Sequence, residues 1–492
     1  VMLFSEILRD LPHIAAGGDL NRDVRRVVYD SRTVEPGDLF VALRGEATDG
    51  HLYVQQAFER GAAAVLAEEP VTGPCWAQVL DTLPALATVA SKVYGSPSEA
   101  MTLVGVTGSN GKSTTTYVIE AIGTAAGKPM GLMGTIEYRW PGFSKPAPHT
   151  TPFSSELQQG LSEMKGAGVE VVALEVSSHA LVLHRVDTLE FDVAVFTNLS
   201  HEHLDFHGTM EDYAASKYRL FRDFLKPGGK AVLNVDDRWA RGWLPSLDPM
   251  RTIAYGFSSK AQVYPENFDL TAKGIEAVVW TPAGRMFIES GLLGRHNLYN
   301  LLAGISSGIA LSIPLARIEE GVCGPVRVPG RLESVDRGQP FRVLVDYAHT
   351  PDGVKQVLGT LSEIPHRRLI CVVGAGGDRD RKKRPLMART AQEMADLVIL
   401  TSDNPRTEDP ETILDEMEVG TIGGSGTTYL RIADRRKAIE KAIGVAEPED
   451  VVLVAGKGHE TYQEIQRARH PFDDRTEAAR ALEAIGYEKG KA

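Results

Sequence analysis

The sequence predicts an α/β protein of three domains, in which a central domain on a P-loop-type parallel sheet is followed by a second, Rossmann-like doubly wound unit. Three observations predict it. Short apolar runs alternate with helical patterns through the middle and last thirds of the chain; one run breaks into a glycine-rich loop ending in Gly111-Lys112-Ser113; and two proline- and glycine-rich breaks cut the 492 residues into pieces of ordinary domain size. The breaks are Tyr94-Gly95-Ser96-Pro97-Ser98 and the stretch from Gly324-Pro325 to Pro329-Gly330, which set the domains at 1–97, 98–327 and 328–492.

In the middle domain the apolar runs at 103–107, 169–176, 193–198 and 231–234 read as strands, and the patterns at 112–126 and 210–224 as helices. The runs are continuous rather than alternating, as a parallel sheet covered by helices on both faces requires. The third domain repeats the rhythm with runs at 342–345, 369–373, 397–401 and 451–455, separated by helical patterns such as 434–445. Ligands of such sheets bind beyond the carboxyl ends of the strands, so the residues just after each run carry the functional reading.

Composition narrows the classes. With 43% hydrophobic and 24% charged residues the chain is a folded globular protein rather than a disordered one. A formal net charge of −12 argues against a nucleic-acid surface and makes any basic cluster local and purposeful. Residues 1–8 are apolar but carry Glu6 and no basic region, so they do not read as a signal peptide, and no uncharged apolar run is long enough to insert in a membrane. The three cysteines, Cys75, Cys323 and Cys371, are too few and too scattered for a disulfide framework or a thiolate metal site, which points to a cytoplasmic protein.

The loop after the first central strand runs Gly108-Ser109-Asn110-Gly111-Lys112-Ser113. Backbone N–H groups of such a loop cradle phosphates, the following helix adds its positive end, and Lys112 and Ser113 are left for the terminal phosphates and a Mg²⁺ ion. The usual spacing places glycine where Val106 stands, with Gly105 and Gly108 on either side.

The other strand ends are equally polar. Glu175-Val176-Ser177-Ser178-His179 follows one run, and Thr197 to Gly208, with His201, His203 and His207, follows the next. Three histidines without cysteine at no zinc spacing favour a hard cation held mainly by oxygen and helped by one imidazole, for which His203 is the choice. Lys217, on the helix after them, reads by pattern alone as a solvated lysine. Asn297 and Asn300 open a later helix, and Asp346, at a strand end before His349, suits a ribose hydroxyl. Three loops then gather at one sheet edge in the last domain: the basic run 374–385, Asp403-Asn404-Pro405-Arg406, and Gly456-Lys457-Gly458-His459-Glu460. Their coincidence favours a polar ligand site.

Together these motifs, in this order and over nearly the whole chain, resemble the Mur ligases of peptidoglycan synthesis, and within them the diaminopimelate-adding branch. Tyr29-Asp30-Ser31-Arg32, residues 36–42 and Asp49-Gly50-His51 are similar to the family's uridine-nucleotide domain, an α/β domain; the phosphate loop, Thr150-Thr151-Pro152, residues 175–179 and 197–208, Lys217 and residues 296–300 to its ATPase domain; residues 328–333 and 346–352 to its hinge into the last domain. Two departures stand out: Glu202 replaces a usual aspartate, and His149 precedes Thr150 where asparagine or an apolar residue is more common.

The resemblance implies ATP-driven amide formation. ATP phosphorylates the D-glutamate carboxylate of UDP-N-acetylmuramoyl-L-alanyl-D-glutamate, and the amine of meso-2,6-diaminopimelate displaces phosphate from the acyl phosphate. It implies that Gly108, Asn110, Gly111, Lys112, Ser113, Thr114, Asn297, Asp346 and His349 bind ATP, and that Lys112 and Arg331 neutralise the transferred phosphoryl group. It implies that Ser113 and Glu175 hold one Mg²⁺, that His203 helps hold another, and that Lys217, as a CO₂-derived carbamate, is a metal ligand. Ser31, Thr150, Thr151, Ser177 and Arg185 grip the UDP-linked substrate. Arg406 and Arg384 face the distal carboxylate of diaminopimelate, Glu460 and the Gly456 carbonyl hold its distal ammonium, and Asp403 and Asn404 also bind it. The expected state is a monomer. Sister readings remain open here: a lysine-adding ligase, the ligase for the next dipeptide, or folylpolyglutamate synthetase; a nucleotide-gated switch explains the phosphate loop but not a second substrate pocket.

Overall fold

Successive side chains on a strand point to opposite faces, so a strand covered on both sides is apolar at every position. The computed structural model, which describes residues 1–45, 48–200, 202–271, 273–421 and 428–487, resolves the continuous runs in this way. In the last sheet Leu369, Cys371, Val373, Val398, Leu400 and Leu453 enter one core, while Ile370, Val372, Ile399, Val452 and Val454 enter another on the opposite face. The N-terminal sheet divides likewise, with Leu39, Val41 and Leu66 in one core and Phe40, Ala42 and Val65 in the other.

Two compact units divide the chain. One comprises Val1–Pro265, Trp280–Met286 and Tyr299–Val322; the other comprises Glu266–Val279, Phe287–Leu298 and the chain from Cys323 onward. The first unit holds two large sheets. Its five-stranded sheet runs Ala15–Gly18, Cys75–Gln78, Ala64–Ala67, Asp38–Val41, Arg26–Val28, parallel except for the antiparallel first strand. Its eight-stranded sheet runs Phe143–Pro146, Glu137–Trp140, Met130–Met133, Val171–Glu175, Thr102–Thr107, Phe191–Phe196, Leu225–Asn234, Thr252–Tyr255, with an antiparallel edge at the first two. Thr102–Thr107 is central and parallel to both neighbours, in a register that pairs Val106 with Glu175 and Thr107 with Phe196. Three strand ends therefore meet at one edge, and the loops after them share it.

This sheet also explains the glycine displaced from the phosphate loop. Val106 is a fully buried strand residue. A Cβ on Gly105 would stand 2.7 Å from the Phe191 ring and 3.3 Å from Leu220, so glycine is needed there for packing, while the loop itself begins at Gly108. Several strand limits differ from the sequence reading, Val171–Glu175 being shorter than the expected 169–176, and two of the differences have a local cause. Phe191–Phe196 starts and ends earlier than expected because Thr197 and Asn198 turn their side chains to the phosphate loop. Leu225–Asn234 is longer than the expected 231–234, because Pro227-Gly228-Gly229 lies within the strand, near a register shift.

The second unit carries a six-stranded sheet in the order Glu333–Ser334, Arg342–Asp346, Val451–Ala455, Leu369–Ala375, Leu397–Ser402, Thr428–Arg431, antiparallel only at its first strand. Four of the helices on it start at side-chain caps: Thr350 ahead of Pro351–Ser362, Asp409 ahead of Pro410–Glu418, Asp434 ahead of Arg435–Gly444 and Asp473 ahead of Asp474–Ala484. Among the described residues no helix is long and apolar enough to cross a membrane. No disulfide joins the three cysteines, of which Cys75 and Cys371 are buried and Cys323 exposed.

Candidate active site

The phosphate loop links Thr102–Thr107 to the helix Lys112–Ala125. Gly108 and Gly111 have φ of +149° and +86°; a Cβ would lie 1.9 Å from Thr197 Oγ1 at the first and 2.3 Å from Asn300 Oδ1 at the second. Both are obligatory glycines. The loop is braced from the next strand end: Thr197 Oγ1 donates to the Asn110 carbonyl at 2.6 Å, Asn198 Nδ2 to the same oxygen at 3.1 Å, and the Asn110 amide to Asn198 Oδ1 at 3.0 Å. Lys112 Nζ donates to the carbonyls of Gly108 and Ser109, each at 2.9 Å. Ser113 and Thr114 are buried in the first turn of the helix.

Lys217 is not the solvated lysine its sequence pattern suggests. It is 1% exposed, and its Nζ donates to the Gly108 carbonyl at 2.9 Å, the oxygen that Lys112 also uses. Burial, with the Lys112 charge adding to it, holds its ammonium well below the usual lysine range. The Nζ lies 4.6 Å from the centre of the Tyr213 ring, whose hydroxyl pairs with Ser109 Oγ at 3.1 Å. Beside it His179, His203 and His207 pack ring to ring, His179 lying 5.1 Å from His203 and 5.8 Å from His207. His203 caps the short helix Leu204–His207 at φ +56°. His207 bonds Ser178 Oγ at 2.9 Å, and burial lowers its pKa to about 4, so it stays neutral. His201 lies outside the described residues.

Glu175 is fully buried at its strand end. Its carboxylate accepts from the Thr135 amide at 3.0 Å and the Thr135 hydroxyl at 2.9 Å, and Gly134 leaves room for it, since a Cβ there would stand 2.2 Å from Oε1. Thr135 Oγ1 also pairs with Thr150 Oγ1 at 3.1 Å, where the Thr150 hydroxyl is the donor. Thr151 Oγ1 donates to the Glu175 carbonyl at 2.8 Å and accepts from the Ser177 amide at 3.0 Å, while Arg185 Nη1 donates to the Thr151 carbonyl at 2.8 Å. Thr150, Thr151, Ser177 and Arg185 thus form one patch. The Arg185 guanidinium sits 3.9 Å above the Phe153 ring, which packs on Tyr29 at 4.7 Å, two residues from the buried Ser31. Hard-cation ligands are oxygens, and Ser113 and Glu175 offer them. Among the described residues, however, no group of three or more His, Cys, Asp and Glu is placed to hold a metal ion unaided.

In the second unit Asp346 is 5% exposed. Its oxygens accept from the Leu332 and Ala348 amides, both at 2.8 Å, and burial raises its pKa while Arg331 and these bonds pull it back. The carboxylate thereby pins the turn that carries Arg331, whose guanidinium lies 5.3 Å from the centre of the Tyr347 ring. His349 is exposed, its Nδ1 bonded to the Tyr347 carbonyl. Asn297 is buried and donates to the Leu293 carbonyl at 2.9 Å.

The carboxyl ends of Val451–Ala455, Leu369–Ala375 and Leu397–Ser402 frame a cavity of about 390 Å³. Its lining includes Arg384, Asp403, Asn404, Arg406, Gly456 and Glu460, together with His349, Tyr347, Tyr462, Arg379 and Lys383. Asn404 Nδ2 donates to Glu460 at 2.9 Å, and Asn404 Oδ1 accepts from Lys457 Nζ and the Glu464 amide, both at 2.9 Å. Lys457 is fully buried and also donates to Glu460 at 3.0 Å. The sequence reading passed over this lysine, although its place between two positive-φ glycines, Gly456 and Gly458, marks a tightly wound loop. Arg406 adopts φ +51°, donates from Nη1 to the Gly377 carbonyl at 2.6 Å, and faces Glu464 at 3.5 Å. Arg384 is 1% exposed rather than a solvated loop residue; its guanidinium is held by Glu408 at 2.7 Å and Glu416 at 2.8 Å.

Three family models match the chain: the Mur ligase middle domain over residues 106–308, the Mur ligase glutamate ligase domain over 330–458, and the Mur ligase family catalytic domain over 23–96. The chain is 44% identical over 507 residues to a protein of Geobacter metallireducens named UDP-N-acetylmuramoyl-L-alanyl-D-glutamate--2,6-diaminopimelate ligase, covering 98% of this chain and 99% of that one. It is 45% identical over 488 residues to a protein of the same name from Geobacillus thermodenitrificans, with the same coverage. A solved structure under that name matches with a TM-score of 0.70 at 34% identity, over 98% of this chain and 99% of the other.

Proposed function

The chain belongs to the Mur ligase family, and on that premise we infer that it is the ATP-dependent amide ligase that joins meso-2,6-diaminopimelate to the D-glutamate carboxylate of UDP-N-acetylmuramoyl-L-alanyl-D-glutamate. The observation that carries the choice of amino acid is the cavity in which Arg406 and Glu460 face one space with Asp403, Asn404 and Arg384. Diaminopimelate differs from lysine by a carboxylate on its far carbon, and a guanidinium grips such a group through two parallel hydrogen bonds. A lysine-adding enzyme has no use for Arg406 there.

A carboxylate is a poor electrophile, so one of its oxygens first attacks the γ-phosphorus of ATP while the bond to the ADP oxygen breaks. The amine of diaminopimelate then attacks the acyl carbon, gives up its proton, and the tetrahedral adduct expels phosphate. The loop from Gly108 to Gly111, at the positive end of the helix Lys112–Ala125, holds the phosphates with Asn110 and Thr114. Lys112, already docked on the carbonyls of Gly108 and Ser109, exchanges these neutral acceptors for anionic oxygens. Arg331 is assigned to the transferred phosphoryl group, and Asn297, Asp346 and His349 to the nucleoside part of ATP. Ser31, Thr150, Thr151, Ser177 and Arg185 are assigned to the UDP-linked substrate.

When bound, Mg²⁺ would supply charge neutralisation: the Ser113 hydroxyl and Glu175 would hold one ion, His203 would help hold another, and Lys217, once carboxylated, would be an anionic oxygen ligand. The carbamate reading rests on a buried lysine whose amine is pushed towards its neutral form. The amine lone pair bonds to the carbon of CO₂, a proton leaves, and a cation becomes an anionic oxygen ligand. The family-model limits also support domain boundaries near 97 and 327. We assign the protein to the cytoplasm as a monomer without a nucleic-acid partner, in keeping with its net charge of −12. Phosphate release tests the activity: it is expected only when ATP, the nucleotide dipeptide and the amino acid are all present. Release indifferent to the amino acid contradicts this reading.

A further inference from the structure

The amino-acid cavity is framed by loops leaving three adjacent strands, with Leu369–Ala375 in the middle. Beneath it lies Arg435, the first residue of the helix Arg435–Gly444. Its guanidinium donates from Nη1 to the Ser402 carbonyl at 3.3 Å and from Nη2 to the Ala455 carbonyl at 2.9 Å. Those carbonyls belong to the last residues of the two outer strands, immediately before Asp403 and Gly456. Asp474 takes Nε and Nη2 at 2.7 and 2.6 Å, and both side chains are fully buried. A Cβ placed on Gly456 would stand 2.8 Å from Asp403 Oδ2 and 3.8 Å from Arg435 Nη2, so the clamp lies directly under the cavity floor.

From this geometry we propose that Arg435 is a positioning residue that sets the separation of the Asp403–Arg406 and Gly456–Glu460 loops across the intervening strand, and so the fit of the amino-acid substrate. Net stability does not account for the pair. A buried ion pair gains little over apolar side chains of similar volume, whereas a planar fork with five donors can join two carbonyls and a carboxylate at fixed angles, which a single ammonium cannot. A displacement of about 1 Å in a positioned group is enough to cost about a hundredfold in rate or binding.

This inference rests on the diaminopimelate reading, so the wild-type enzyme is assayed alongside the variants. In Arg435→Met/Asp474→Leu both charges leave together, so neither is left buried without its partner; the KM for meso-diaminopimelate is expected to rise about tenfold or more, with the KM values for ATP and the nucleotide dipeptide within about twofold. Arg435→Lys keeps the charge opposite Asp474 and is expected to show the same selective rise. An unchanged diaminopimelate KM in the double variant, a wild-type profile in Arg435→Lys, or an equal rise in all three KM values overturns the proposal. If the double variant is unfolded, Arg435→Lys decides. Failure of the wild type to ligate diaminopimelate overturns the functional reading instead.

Discussion

Replacing Arg406 isolates the group that separates diaminopimelate from lysine. The guanidinium is oriented by the protein itself, through its bond to the Gly377 carbonyl and its approach to Glu464, so little ordering cost is left to offset the interaction it makes. Hydrogen bonds to a charged partner contribute about 1.5–3 kcal/mol, which corresponds to about a 10- to 150-fold rise in the diaminopimelate KM for Arg406→Ala. The backbone supplies a control. At φ +51° an L-residue is strained, and glycine relieves that strain. Arg406→Gly is therefore expected to match Arg406→Ala in KM while unfolding at a higher temperature. Initial-rate kinetics with each substrate varied in turn, together with thermal melts, read both effects. The KM for ATP should stay within about twofold, since no ATP contact is removed. An unchanged diaminopimelate KM in both variants refutes the assignment.

Lys217→Ala should lower kcat about a hundredfold or more by removing a metal ligand, and ¹³CO₂ should give a carbamate resonance in the wild type that is missing from the variant; full activity with unmodified lysine counts against the carbamate. Gly111→Ala forces a Cβ towards Asn300 Oδ1 at a φ of +86°, and calorimetry should find nucleotide binding weakened by about tenfold or more. His459, whose pKa burial and then Arg331 lower to about 4, refuses a proton that the unfolded chain accepts near 6.5. Stability should consequently fall as pH drops from about 6.5 to about 4, and urea melts of His459→Gln should show a shallower fall. An identical pH profile in the variant would falsify that attribution.

Much of the site was legible because chemistry gathers at the carboxyl ends of parallel strands. Gly108 to Ser113, Glu175, Asp346 and the Asp403–Arg406 and Gly456–Glu460 segments all follow apolar runs, and the structure finds each at a strand end. Residues acting through distant partners were harder to read. Lys217 shares the buried face of Met210–Arg222 with Tyr213, Ala214, Leu220 and Phe221, so helical spacing could have placed it inside, but nothing local reveals its bond to Gly108, 109 residues away. Arg384 reads as part of a solvated basic run until Glu408 and Glu416 are seen around it. Arg435 left one local clue, a cation at the positive end of a helix; only the tertiary fold supplies Asp474 and the two strand-end carbonyls. Asp346 was expected to face a ribose, and its two backbone bonds add a second task, holding the turn at Arg331.

The most direct measurement is ligation assayed in parallel with meso-diaminopimelate and L-lysine, using ATP and UDP-N-acetylmuramoyl-L-alanyl-D-glutamate, with the amide product identified by mass. The account predicts one ADP and one phosphate per amide bond formed with diaminopimelate, and a kcat/KM for lysine lower by about a hundredfold, as expected when hydrogen bonds to a charged partner are lost. Equal or better ligation of lysine, or ATP turnover without an amide product, contradicts it.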